Sequence, residues 1–521
     1  MTRRDGPRGG DSREIGLKDI VVPVTWLVPT FGTLLFSGSL AIGLFASRLF
    51  SGDGDVGRHL RVGHDILASG RVAGIDVYSH TMSGREFVPY EWLSEVLFAV
   101  SDRIAGLPGV AVLSGLLFAS ATWVAYRLAR LGGNGPILAT LIAVLVLVLQ
   151  GMHLLPRPHL FTTLAAVVFL YVLELTRQRG EIRPLTALPV VMWAWANLHG
   201  GFLVGFVLLG VYVLDAAFSG AGSRRRLGYL LLIAAACIVV SMFTPAGLSL
   251  WAHTTGYLRI DFLVDHTAEY RSPDFHATYA QRFLVVFFLG IVLLATGRAR
   301  CSFTESSLFL GWLAAALHSG RNIPLFGVLA VPWYAGWTRR MLETSKGESR
   351  LLSRASRRLL TLDRELAETE RRLKPWILGS IIPAALVALA VTSESYRYQF
   401  DPGVFPVSAL ESVDKGGPHR RVFNDLRWGG YLLYARPDLP VFIDGQTDFY
   451  GAELTMDYVA IMSGKPRWQE KLDEYGVGWT LTPPGATLVQ LLEASGGWTR
   501  LYGDSVAVVM VRGPSQNESA W

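Results

Sequence analysis

What most constrains this chain is a recurring run of apolar residues, each close to the ~20 needed to cross a bilayer. Backbone in hydrocarbon finds no water to bond, so such a run must close its own hydrogen bonds as a helix. Eleven spans are expected: 22–48, 106–127, 136–152, 159–175, 185–198, 200–217, 227–243, 281–297, 303–318, 322–338 and 376–393. Only 17% of the 521 residues are charged while 51% are hydrophobic, and 33 Trp and Tyr are available to populate two water–lipid belts. The run from Val21 to Phe50 is too long for a cleavable leader and reads as a retained anchor. Cys237 and Cys301 support neither a disulfide framework nor a zinc spacing.

The net charge of +6 follows topology rather than nucleic-acid binding, which is not expected. Its cations fall in alternate loops: Arg3, Arg4, Arg8, Arg13 and Lys18; Arg127 and Arg130; Arg177, Arg179 and Arg183; Arg224 to Arg226; Arg298 and Arg300; and the stretch 339–374. The positive-inside rule assigns these loops to the cytoplasm. It leaves 51–105, 153–158, 198–200, 244–280, 319–321 and everything after 394 outside. The expectation is a multi-pass protein of a cytoplasmic (inner) membrane, its N-terminus cytoplasmic. All eleven histidines (59, 64, 80, 153, 159, 199, 253, 266, 276, 318 and 419) fall on or beside the outer side. Polar groups near hydrocarbon are expensive and by default functional, so the working face is read as the outer one.

Residues 1–394 are read as the transmembrane domain. Its first outer loop, 51–105, carries two amphipathic helices, 57–69 with Leu60, Ile66 and Leu67 on one side, and 92–105. Residues 341–375 form a basic amphipathic helix lying on anionic lipid or against a partner. At 395–521 alternating strands, turns and charges return, predicting an extracytoplasmic α/β domain. Its expected strands are Arg421–Asn424, Pro440–Ile443, Gly478–Thr482 and Ser505–Val511, and its helices 452–463, 466–475 and 486–495.

Walker A, GxSxG, HExxH and Rossmann glycine signatures are absent, so the chemistry must use an already activated substrate. Asp53-Gly54-Asp55 places two carboxylates on a glycine turn beside the membrane, suited to one base or a divalent cation, although acidic turns after a span are common. His59, Arg61, Asp76 and Glu91 follow in the same loop, and Glu269 and Arg271 lie in the next long one. Arg157 between two prolines, His159, Asn197, His199, Arg321 and Asn322 stand at outer span ends. Arginine there suits a phosphate headgroup, held bidentately. Two glycine-rich acidic turns, around Asn424-Asp425 and Phe442 to Asp448, either rim a ligand or simply turn the chain.

Together these residues resemble the GT-C superfamily of membrane glycosyltransferases that use polyprenyl-phosphate-linked sugars. Asp53-Gly54-Asp55 falls where that superfamily keeps its catalytic aspartate. More closely, Asp55…His59-Leu60-Arg61…Gly63, Asp76…Ser79, Glu91-Trp92-Leu93, Asn197…His199-Gly200, Glu269…Ser272-Pro273-Asp274-Phe275, Arg321-Asn322 and Gly429-Gly430-Tyr431…Asp444-Gly445 resemble a group of uncharacterised bacterial GT-C-like proteins. The Lys-Pro-Pro of the mannose and aminoarabinose transferase branch is missing. The resemblance implies an inverting glycosyltransferase taking a polyprenyl-phosphate sugar to a glycan, lipid or protein acceptor. Asp55 and Asp53, with Glu91, would be catalytic. Asp53, Asp55 and Glu269 would hold Mg or Mn if a divalent cation is used. His59, Arg61, Asp76, Arg157, His159, Asn197, His199, Glu269, Arg271, Arg321, Asn322 and Asp444 would bind substrate. A non-catalytic envelope assembly protein and a lipid-linked glycan transporter remain alternatives.

Overall fold

The computed structural model describes residues 24–45, 50, 53–220, 223–257, 268–296, 302–344, 350–374, 376–393, 398–413 and 421–513. Outside them lie the N-terminal cations Arg3 to Lys18, Arg298, Arg300, Cys301, His266 and His419. So do the ends of the first expected span (22–23 and 46–48) and the expected start of the tail at 395–397.

Every expected span contains a helix. Among the described residues six are long and apolar enough to cross a membrane: Thr25–Leu44, Leu107–Leu131, Pro136–His153, His159–Arg179, Gly200–Phe218 and Thr278–Thr296. The other expected spans carry shorter helices, Leu188–Leu198, Arg224–Val240, Phe303–His318 and Trp376–Thr392. The segment 322–338 is two pieces, Ile323–Leu329 and Val331–Thr344, broken at Ala330. Pro332 has no N–H to return to the preceding turn, so the first helix cannot run through it. The chain is thus a multi-pass membrane protein with a helical bundle.

The basic helix Arg350–Arg372 does not simply rest on a surface, for its acids cap the bundle. Asp363 accepts the Gly135 and Ile137 amides at 2.6 and 2.8 Å, satisfying orphan donors where Pro136–Gln150 begins. Glu370 accepts from Arg130 and from the Phe31 amide at 2.8 and 2.7 Å.

The opposite end carries the first loop and the tail. Helix Asp55–Ser69 starts with an aspartate in its first turn and stops at Gly70 in the left-handed region (φ 65°). Both sides of it are buried. Gly63 lets it meet helix Trp92–Ala105 so closely that an added Cβ would sit 2.0 Å from the Glu95 carbonyl. Val56, Leu60, Val62 and Ile66 join a core cluster that also takes in Trp428, Tyr431 and Leu432 of the tail. A freely interfacial helix was expected here; the tail covers it instead.

The tail is a four-stranded sheet of order β1-β2-β4-β3, with β1 Arg421–Asn424, β2 Val477–Thr482, β3 Trp498–Gly503 and β4 Val508–Arg512. β1 runs parallel to β2, and the other pairs are antiparallel. Helices Thr447–Met462, Trp468–Glu474 and Thr487–Ala494 match the expected ones within a few residues. Two corrections follow. β3 is a strand the alternation did not predict. Pro440–Ile443 is not a ladder strand, because its backbone is claimed by side chains and by the first loop. The Asn424 side chain accepts from the Phe442 amide and donates to the Ile443 carbonyl, both at 2.8 Å. Val441 bridges Ser79, and the Thr81 hydroxyl donates to the Phe442 carbonyl at 2.6 Å. First loop and tail therefore form one interlocked body.

At its centre are glycines in backbone contact. A Cβ on Gly57 would lie 2.4 Å from the Gly430 carbonyl oxygen, and one on Gly430 the same distance from that of Gly54. Gly57→Ala should lower stability by about 1–3 kcal/mol through overpacking. Gly74→Ala, with open space around it, should change it by less than about 0.5 kcal/mol. Thermal melting of the detergent-purified pair checks this.

Candidate functional site

Two arginines, the half-buried Arg157 and the buried Arg58, organise the acids at this junction. The first is Arg157, on the turn between Pro156 and Pro158 that precedes helix His159–Arg179. The flanking rings, both buried, fix φ on either side and aim the side chain. Its Nε donates to Asp53, its Nη2 lies 2.9 Å from Asp55 Oδ2, and its Nη1 lies 3.6 Å from Glu269 Oε1. Glu269 is delivered by a loop pinned to the turn before Ile323: the Ser319 hydroxyl donates to the Glu269 carbonyl at 3.1 Å, and the Gly320 amide to that of Arg271 at 3.0 Å. Arg321 stands over the Tyr270 ring at 4.5 Å and donates to its hydroxyl.

The two neighbouring aspartates differ. For Asp53, burial works against ionisation, but the Arg157 charge and hydrogen bond, with the Asp55 amide at 3.0 Å, hold its carboxyl below the usual range. Asp55 keeps a quarter of its side chain exposed. Burial, opposed by Arg157 and reinforced by the Asp53 charge, pushes it up to about 6. The tail closes over it: a Cβ on Gly445 would fall 2.0 Å from Asp55 Oδ1. The two neighbouring carboxyls are thus shifted in opposite directions, Asp53 toward the ionised form and Asp55 toward the protonated one.

The second arginine, Arg58, was not singled out from the sequence. It is buried in helix Asp55–Ser69, with Nε 3.2 Å from Asp444 Oδ2, Nη1 3.7 Å from Glu95 Oε1, and the Phe87 ring 5.4 Å away. It joins the first loop to the tail turn through a nearly dry ion pair. Behind it His59 Nδ1 lies 3.3 Å from Glu95 Oε1 and 4.0 Å from Glu91 Oε2. His199 presents Nε2 to Glu91 Oε1 at 3.4 Å. The Gly201 amide donates to His199 Nδ1 at 2.9 Å, so the ring proton sits on Nε2, facing the carboxylate. Burial, with the charges of Arg321 and His59, holds His199 down to about 3 and neutral. Burial pushes Glu91 up to about 7 despite the His59 charge.

Other expected site residues are occupied within the protein. The Asn197 amide accepts from Trp92 Nε1 at 2.9 Å and donates to the carbonyls of Trp193 and Phe243. Asp76 accepts from the Ser79 hydroxyl at 2.7 Å and from two amides of its own turn. Arg61 bonds Asp65 and the Pro437 carbonyl, His159 donates to the His153 carbonyl, and Asn322 donates to the end of helix Phe303–His318. These hold the walls in place. Besides Arg58, sequence reading missed Glu95, one helical turn after Glu91, a spacing that could have revealed it. Asp448, which ends the second acidic turn read from the sequence, has its Oδ2 3.5 Å from His253 Nε2, with His253 stacking on Tyr90.

Asp53, Asp55 and Glu269 were read as the ligands if a divalent cation is used, and their donor set suits one chemically. The position they surround is filled by the Arg157 guanidinium, so a metal does not fit this arrangement. Among the described residues the group whose ligand atoms converge within 4.8 Å is instead His59, Glu91 and Glu95.

No protein-family model matches the chain, and no curated protein matches its sequence. Solved structures share its fold, among them these two. One is the apo oligosaccharyltransferase of Archaeoglobus fulgidus, with TM-score 0.52 and 12% identity over 87% of this chain and 69% of the other. The other is the arabinofuranosyltransferase AftD from Mycobacteria, with TM-score 0.52 and 14% identity over 94% of this chain; this chain spans only 40% of that one. Both are GT-C enzymes, so the expected GT-C fold is the observed one.

Replacing Arg58 with Met leaves Asp444 and Glu95 buried without their cation. Arg58→Met should cost about 3–5 kcal/mol, and adding Asp444→Asn should recover part of it. Denaturant melts of the three proteins measure both effects.

Proposed function

We propose that this GT-C-fold membrane protein is an inverting glycosyltransferase that takes a sugar from a polyprenyl-phosphate donor. The observation that carries the reading is Asp55: a partly exposed carboxylate of raised basicity, held by Arg157 and approached by Gly445 of the tail. A base poised near the working pH, in a site walled by buried ionic groups, is what deprotonating a hydroxyl requires. The acceptor oxygen attacks the anomeric carbon while its proton passes to Asp55. The bond from that carbon to the phosphate oxygen breaks, and the electron pair leaves with the polyprenyl phosphate. Attack opposite the leaving group inverts the anomeric centre.

Arg157, shared among three carboxylates, orients Asp55 rather than gripping phosphate. The leaving phosphate falls to Arg321, held over Tyr270 at the rim of the same loop. Glu91, set between His59 and His199, holds His59 toward the aspartates. The lipid tail enters sideways between helices, and the tail domain, whose Gly445 packs against Asp55, selects among glycan, lipid or protein acceptors. The positive-inside assignment places this end outside the cytoplasm.

Asp55→Asn in the native host should reproduce the deletion phenotype while the protein stays folded in the membrane. Mass spectrometry of surface glycans and lipid-linked sugars should show the product lost and the donor accumulated. A silent substitution where deletion matters would remove Asp55 from the chemistry. In a purified assay the variant should lose about 10²–10⁴ in rate. The base works only ionised, so the wild-type rate should be level above pH 7 and fall as pH drops through about 6. A profile without that acid limb contradicts Asp55 as base.

A further inference from the structure

Three carboxylates from two separate loops converge on Arg157, one on each nitrogen of its fork: Asp53 on Nε, Asp55 on Nη2, Glu269 on Nη1. Two acids spaced by a glycine plus a third from a distant loop is the kind of hard-oxygen set that gathers around a divalent ion. Here the positive charge at its focus is covalently part of the chain. The guanidinium cannot easily leave. Both flanking prolines are buried, and the Glu269 loop is tied by two hydrogen bonds to the Ser319–Gly320 turn. Bringing in a divalent ion would break three ion pairs and press a displaced arginine, which cannot shed its proton, against the incoming charge.

We propose that Arg157 takes the place of a divalent metal at the Asp53–Asp55–Glu269 site, making this centre metal-independent. The claim deepens the glycosyltransferase reading by naming its cation. Arg157 is a positioning residue on this account: it fixes the rotamer of Asp55 and balances part of the local negative charge. The same geometry makes a reciprocal demand: deleting the guanidinium should uncover a metal site.

The test reads metal uptake without turnover, so its failure would leave glycosyl transfer by Asp55 standing. Full-length protein, purified in detergent and stripped with chelator, is titrated with Mn2+ while the free ion is followed by electron paramagnetic resonance. Wild type and Asp55→Asn should take up the same amount, any binding at His59, Glu91 and Glu95 being common to both. Arg157→Ala should gain one Mn2+ per chain, and Arg157→Ala/Asp55→Asn should lose it again. Wild-type uptake that disappears in Asp55→Asn would overturn the proposal, as would a folded Arg157→Ala that gains no ion. If Arg157→Ala fails to fold, the comparison of wild type with Asp55→Asn decides alone: equal uptake supports the proposal and unequal uptake overturns it.

Discussion

The contact on which the rest of the site depends is backbone against backbone, where the turn and first helical residues after Asp53 meet the tail at Arg427 and Gly430. Side chains cannot intervene there. A Cβ on Gly54 would strike the Arg427 carbonyl at 2.4 Å, and one on Gly430 the Gly54 carbonyl at 2.4 Å. Two segments nearly 400 positions apart are thereby held within van der Waals reach, with the Asp55 carboxylate at the seam. Neither the membrane bundle nor the tail contains the site alone.

Packing that close leaves little water, and the charges at the seam are arranged accordingly. Arg58 and Arg157 each divide one positive charge among carboxylates contributed by different parts of the fold. Arg58 serves Asp444 and Glu95, nearly dry; Arg157 serves Asp53, Asp55 and Glu269, with exposure rising from the first to the last. Desolvation disfavours ionised groups unless a partner compensates. Asp53, with the strongest hold on Arg157, stays an anion, while Asp55, sharing what remains, becomes the more basic. A gradient of burial and partnership across three residues thus assigns unequal roles to two identical side chains.

Much of this was legible in the sequence, for identifiable reasons. Apolar runs announce helices because hydrocarbon leaves the backbone no alternative, and the GT-C fold was implied by the resemblance of the loop and tail motifs to that superfamily. Proline on both sides of Arg157 and glycine between Asp53 and Asp55 marked local geometry that mattered. What stayed hidden was long-range. Nothing in the Pro440–Ile443 alternation says that Asn424 will take up that backbone in place of a neighbouring strand. Arg58 looked like one more cation on an amphipathic helix, because only the tail packed against it makes the position interior. Asn197 and Asp76 looked like ligand groups because a polar residue at a span end or turn reads alike whether it faces a substrate or ties down a wall.

The central claim is that a lipid-phosphate sugar is attacked at Asp55, held by Arg157 and approached by Gly445 of the tail. The most direct measurement is an experimental structure of the full chain saturated with a non-cleavable polyprenyl-phosphonate sugar. The account predicts the phosphonate beside Arg321 and the anomeric carbon facing Asp55, with the Asp53–Arg157–Glu269 cluster intact and no metal between them. A sugar headgroup bound elsewhere on the protein, or a metal ion replacing the Arg157 guanidinium, would contradict it.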